Sequence, residues 1–216
     1  MFGISRRKIR KIVIAVAAVG VLSGGVSIPH VIDNLGFDTT SLNIPGFSAT
    51  LENEQQASDY DRAAFGTPWK DVDGNGCDTR NDILRRDLDN ITVRPGTHGC
   101  VVTSGTFIDP YTGERVQFSK NDASAVQIDH VVALKNAWDS GANMWDQNTR
   151  EEFANDPLNL LATTRSPNAS KGSKAADEWM PAVNQCAYSQ RQQQIKSKYN
   201  LSVTAAEETA WANACN

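Results

Sequence analysis

The sequence predicts an α+β fold: a mainly helical single domain with a small antiparallel sheet, stapled by disulfides. Short β-branched runs of strand length alternate with stretches whose apolar residues recur at helical spacing. The chain has 216 residues, 40% of them hydrophobic and 21% charged, which leaves room for one ordinary globular domain plus an appendage. Four cysteines, Cys77, Cys100, Cys186 and Cys215, all follow an N-terminal segment that reads as an export signal, and exported chains keep disulfides.

That N-terminal segment is SRRKIRK (5–11) followed by IVIAVAAVGVLSGGVSI (12–28), a basic cluster and then an uncharged run of 17 residues. The layout is that of a secretory signal. Seventeen residues is also the lower limit for a spanning helix, so a membrane anchor stays open. Residues 1–28 are therefore assigned as signal peptide or anchor, 29–57 as a Pro/Gly/Ser-rich linker, and 58–216 as the folded domain. Export places the protein outside the cell or at the outer face of the membrane, with membrane contact only through an uncleaved leader. Without 1–28 the chain carries 16 basic against 25 acidic residues, a net charge of −9. Such a surface argues against coating nucleic acid through bulk charge.

Along the domain, SDYDRAAF reads as a short helical stretch and GTPWKDVDGNGCDTRND as turns. NDILRRDLDNI (81–91) has helical spacing, with Asn81 or Asp82 as its cap. CVVTSGTFID (100–109) and ERVQFS (114–119) are strands joined by the turn PYTG. QIDHVVAL (127–134) reads as a buried strand, and ALKNAWDSGA (133–142) and TREEFAND (149–156) as helices. NLLATT (159–164) is a further strand, followed by helices from Ser170 to Trp179, over 189–199, and over 204–214. The last opens with Thr204 and Glu207 at capping-box spacing. The four cysteines allow three connectivities, and proximity favours Cys77–Cys100 with Cys186–Cys215. A zinc site built from all four lacks any CxxC spacing.

Histidine occurs three times, at His30 in the linker, His98 in a Pro/Gly-rich loop and His130, a distribution that argues against a three-histidine metal site. His130 lies in an apolar strand beside Asp129, and burying that pair costs free energy unless something compensates it. Downstream, NLLATTRSPNASKG (159–172) supplies Asn159, Asn168 nine residues later, then Lys171 and Gly172 at what reads as a helix start. Asp129 and Asn168 both offer oxygen, which suits a hard cation such as Mg²⁺, Mn²⁺ or Ca²⁺ better than zinc. An imidazole with an ordinary pKa near 6.5 can take a proton from water at neutral pH. The five tryptophans, Trp69, Trp138, Trp145, Trp179 and Trp211, read as core.

The order and spacing of Asp129-His130, Asn159 and Asn168 resembles the HNH (ββα-metal) endonucleases. DGNGCDTRNDIL, DPYTGE, QIDHVVALKNAWDSGA, REEFANDPLNLLATTRSPNASKG, ADEW and the late Cys186 with Tyr188 are similar to the nuclease domain at the C-terminus of the GmrSD restriction enzymes and its secreted relatives. The resemblance spans roughly 58–216, with Ala133 standing where many relatives have proline. It implies a core hairpin plus helix and an endonuclease acting on DNA, with RNA left open. Asp129 and Asn168 would hold a divalent metal, Mg²⁺ or Mn²⁺ first and Ca²⁺ as a further choice. His130 would be the general base, with Asn159 bracing the loop or orienting the imidazole. Arg165, Lys171 and Lys174 would grip phosphates, helped by N–H groups near Ser170. No protein partner is implied.

A second feature is DVDGNGCDTRND (71–82), which puts Asp71, Asp73, Asn75, Gly76 and Asp82 at positions 1, 3, 5, 6 and 12 of a calcium loop. The alternative for that loop is a tight Asp/Gly turn that positions Arg80. The loop also motivates a rival to the nuclease, a non-catalytic calcium-stabilised module of the cell envelope. A hydrolase of another kind finds no G-x-S-x-G or H-E-x-x-H in the chain.

Overall fold

The computed structural model describes residues 59–216. The leader and linker assigned to 1–57 lie outside the described residues, and no helix among those described is long and apolar enough to cross a membrane. The described chain is a mixed α+β unit. After a 3₁₀ turn at Arg62–Phe65 come α1 (Thr79–Asp87), β1 (Asp89–Val93), β2 (Val102–Ile108), β3 (Arg115–Ser119) and β4 (Val126–His130). Then follow α2 (Leu134–Asp139), α3 (Gln147–Asn155), β5 (Leu160–Thr164), α4 (Arg165–Lys171), α5 (Gln185–Lys198) and α6 (Ala205–Ala214). Strands β1, β2 and β3 form one antiparallel sheet and β4 and β5 a second, where one small sheet was expected.

Strand β4 pairs with β5 so that Asp129 lies opposite Leu161 and His130 opposite Leu160. The pair is apolar on both faces because a core lies on each side. Val126, Ile128, Leu160 and Ala162 pack with Ile83, Leu84 and Phe107 of α1 and the larger sheet. Leu161, with Val131 and Val132 beyond the strand, packs with Phe65, Phe153, Tyr188 and Ile195. A two-residue period therefore sends Gln127 and Asp129 to one face and Ile128 and His130 to the other. Buried polar groups in such a position need partners, and the next subsection shows which they find.

Several expected boundaries change; β4 ends at His130 and not at Leu134, and α5 opens at Gln185 and not at Ser189. Helix α1 begins at Thr79 because Asp78, not Asn81 or Asp82, caps it, its side chain accepting from the Asn81 N–H at 2.8 Å. It stops at Asp87 because the β-branched run Ile91-Thr92-Val93 pairs with β2, with Thr92 opposite Ser104 and Val93 opposite Val102. The helix expected over Ser170–Trp179 instead runs from Arg165 to Lys171. Pro167 is tolerated in its first turn, and Gly172, at φ +54°, ends it in the left-handed region. Ser170 to Gly172 are thus a helix end, and no helix-start N–H groups lie there.

At the C-terminus the expected capping box forms: Thr204 Oγ1 accepts from Glu207 N at 3.1 Å, and Glu207 Oε2 accepts from Thr204 N at 2.9 Å. The other Glu207 oxygen meets the buried Lys196 ammonium. The disulfides are Cys77–Cys100 and Cys186–Cys215, the pairing that proximity favours. They span 23 and 29 residues, so each removes a similar loop entropy from the unfolded chain. Replacing Cys77 and Cys100 together by serine should lower the unfolding free energy by about 3 kcal/mol, read as an earlier urea midpoint; an unmoved midpoint would show that the bridge contributes no stability.

Candidate functional site

Asp129 and His130 leave β4 on opposite faces and are 5% and 8% exposed. Each finds its own partners. Asp129 Oδ1 accepts from Lys171 Nζ at 3.0 Å and Oδ2 from Tyr111 Oη at 2.6 Å. Burial pushes the Asp129 carboxyl above its usual range, while the Lys171 ammonium and the Tyr111 hydroxyl pull it back. Lys171 is fully buried and also donates to the His130 carbonyl at 2.7 Å. Its ammonium is therefore held inside the fold, with no exposed face for the expected phosphate contact.

His130 Nε2 lies 2.8 Å from the Ala154 carbonyl oxygen. A carbonyl only accepts, so the proton sits on Nε2 and the lone pair on Nδ1. The ring stacks on Trp69, with centroids 6.2 Å apart and planes at 15°. Burial brings the His130 pKa down to about 4, well below the ordinary value expected from sequence. The imidazole is neutral at physiological pH.

Asn168 projects from α4 and donates Nδ2 to Gln127 Oε1 at 2.6 Å, which turns its amide oxygen away from that bond. Asn159 is buried and does not touch the imidazole. It accepts from Val132 N at 2.9 Å, donates to Val132 O at 3.2 Å, and its own carbonyl accepts from Val131 N at 2.8 Å. Of the two roles expected for it, bracing the chain just after His130 is the one its bonds serve.

Asp129, His130 and Asn168 line one cleft of about 420 Å³, together with Arg62, Lys135 and Gly172. A second opening of about 280 Å³ lies on the Trp69 side of His130, between Phe65, Trp69 and Asn155. Arg165 and Lys174 do not line these openings; they bond to the Ser124 carbonyl at 3.3 Å and the Ser170 carbonyl at 2.8 Å. The cations at the cleft are Arg62 and Lys135, with Arg80 beside Gln127 and Asn168 in the adjoining groove. Sequence reasoning missed Arg62 and Lys135, and had Arg80 only as a residue that the 71–82 turn would position. It also missed Tyr111, although DPYTGE was among the segments it singled out.

The donor set of the cleft fits a hard divalent cation. A carboxylate offers about four lone-pair sites, and Asp129 uses two of them; Asn168 adds a second oxygen. Among the described residues no group of three or more His, Cys, Asp or Glu is arranged around a metal position. Two protein oxygens would leave most coordination sites to water and substrate. The 71–82 loop is closed by its own bonds: Asp71 accepts from the N–H groups of Gly74, Asn75 and Gly76, and the Asn75 amide reaches Asp73 and Asp82. Arg80, from the end of this loop, donates to the carbonyls of Ala123 and Val126 at 3.1 and 2.9 Å.

A family model described as GmrSD restriction endonucleases, C-terminal domain, matches residues 78–214. A protein of Arthroderma benhamiae named as an uncharacterized secreted protein is 36% identical over 204 residues, which cover 93% of this chain and 95% of that one. No solved structure matches the chain.

The buried imidazole makes a prediction for the metal-free protein. Between pH 6.5 and about 4 the unfolded chain binds a proton at His130 that the folded chain refuses, so stability falls as pH drops through this window. In chelator, the melting temperature should fall further over that range for the parent than for His130→Asn. Parallel curves for the two would show that His130 titrates normally.

Proposed function

Since the chain belongs to the family of GmrSD restriction endonuclease C-terminal domains, we propose that it is an exported, metal-dependent nuclease that hydrolyses phosphodiester bonds in DNA, and in RNA where the cleft admits it. The observation that carries this reading is the single cleft lined by Asp129, His130 and Asn168. The β4–β5 pair followed by α4, with α2 and α3 between the two strands, supports reading this part as an HNH (ββα-metal) core. The two disulfides and the secreted relative support export.

Each residue then has a defined task. Asp129 and Asn168 hold the divalent cation, Mg²⁺ or Mn²⁺ by the chemistry of their oxygens. A bound cation supplies neutralisation of charge on the phosphate and on the departing 3′ oxygen. His130 takes the proton of the attacking water on Nδ1, because Nε2 is committed to Ala154. Its neutral state keeps that lone pair available. A phosphodiester arriving beside the ring favours the imidazolium and raises its pKa, so the base strengthens as substrate binds. Asn159 keeps the chain after His130 in place, and Arg62 and Lys135 draw the anionic backbone into the cleft.

The test is plasmid nicking by the purified full chain. Cleavage should require Mg²⁺ or Mn²⁺ and stop with EDTA, and His130→Ala should slow it by 10² or more, the usual worth of a general base. Cleavage that persists unchanged in EDTA, or in His130→Ala with its melting curve intact, would sink the assignment.

A further inference from the structure

The segment DPYTGE has no task in the chemistry above, yet it is among the most heavily bonded in the molecule. Asp109 is fully buried in the turn between β2 and β3. Its Oδ1 accepts from Tyr111 N at 2.9 Å and from Thr163 Oγ1 at 3.0 Å. Its Oδ2 accepts from Thr164 N at 2.8 Å and Thr164 Oγ1 at 2.6 Å. Thr164 is the residue on which α4 begins, and α4 carries Asn168. Two residues on in the same turn, Tyr111 sends its hydroxyl to Asp129 Oδ2 at 2.6 Å.

The Tyr111 ring is itself immobilised. It meets Trp179 edge-on at 5.1 Å and Tyr188 edge-on at 5.6 Å. Its carbonyl accepts from the N–H groups of Ala182 and Val183 at 3.0 and 3.3 Å. Gly113, at φ +76°, lets the chain fold back so that its N–H reaches the Asp109 carbonyl at 2.8 Å. One five-residue turn therefore touches the strand that bears Asp129 and the junction that leads to Asn168.

We propose that the Asp109–Gly113 turn is the positioning device of the metal site: Tyr111 sets the Asp129 carboxylate and Asp109 sets the start of α4, so that both oxygen ligands stand at one separation before any cation arrives. This rests on the reading of Asp129 and Asn168 as the cation's ligands. Those two oxygens come from different elements, and a site so built must be held to within about 0.5 Å by its surroundings. Lys171 does not do this by itself, because it rides on α4 together with Asn168 and its stem has four rotatable bonds. Tyr111 is a rigid ring on a separate turn, so it fixes Asp129 against a reference outside both β4 and α4. Tyr111 and Asp109 are positioning residues, since neither lines the cleft.

The test measures metal binding by the full chain directly, with Mn²⁺ titrated in a calorimeter without nucleic acid, and cleavage across Mn²⁺ concentrations alongside. Tyr111→Phe keeps the ring and removes the hydroxyl. It should raise the Mn²⁺ dissociation constant about tenfold or more, the usual effect of losing a group that orients a ligand, with cleavage returning towards the parent rate at saturating Mn²⁺. Tyr188→Phe is the comparator, because it removes a neighbouring hydroxyl that reaches the Val131 carbonyl at 3.4 Å and not Asp129; it should leave Mn²⁺ affinity unchanged. Thr164→Val, which breaks one arm of the Asp109 clasp, should also weaken Mn²⁺ binding, and it decides the matter if Tyr111→Phe does not fold. Parental Mn²⁺ affinity in both Tyr111→Phe and Thr164→Val overturns the positioning role, and metal-dependent cleavage by the parent then leaves the nuclease reading standing. A parent that binds no Mn²⁺ overturns the metal site itself, and the positioning role with it.

Discussion

A carboxylate sits inside this protein with almost no access to water, and the fold is arranged around keeping it there. Asp129 is held from one side by the Lys171 ammonium and from the other by the Tyr111 hydroxyl. An isolated charge in that place would cost several kcal/mol, and neither partner would suffice without the geometry the other imposes. Through these two bonds the carboxylate joins three separate pieces of chain: strand β4, helix α4 and the turn at 109–113. Lys171 extends the tie by donating to the His130 carbonyl as well. The residues on either side of the candidate cleft are thus fixed by the same contacts that neutralise the buried charge.

Behind the cleft the C-terminal helices form a stiff support. Trp211 donates to Gln192 at 3.0 Å, and Gln192 donates to the Val131 carbonyl at 3.1 Å, just past His130. The buried Lys196–Glu207 pair and the Cys186–Cys215 bridge lock α6 onto α5. In front, the segment at 60–69 brings Arg62 and Trp69 to the openings beside His130. Trp69 adopts φ +61°, a conformation costing of order 1–3 kcal/mol for a bulky residue. The return is a flat aromatic wall stacked on the imidazole.

Some of this was readable before any coordinates. Local pattern was enough for β2, β3, β4 and β5, for the Thr204–Glu207 box and for the disulfide pairing, because each depends on neighbours in sequence or on short loop closure. Asp129, His130 and Asn168 stood out as a set only through the family resemblance, since positions 129 and 168 are far apart in sequence. Helix α4 was misplaced even though Pro167 and Gly172 carried the right signal, a proline in the first turn and a glycine past the end. Ile91 was read as the end of a helix because apolar spacing from Ile83 continues through Leu88, and only the pairing of β1 with β2 overrides it.

The sequence by itself determined the family, through an acid, an imidazole and two amides at set intervals. Only the tertiary structure decided what each polar group does with its lone pairs and protons. Lys171 was expected to grip phosphates and is buried against Asp129. Arg62 looked like part of a minor helix and lines the cleft. Tyr111 looked like a turn residue and holds the central carboxylate. These assignments link positions 18 to about 70 residues apart. A residue's hydrogen bonds are set by what burial brings beside it, and no local pattern of residue types encodes that.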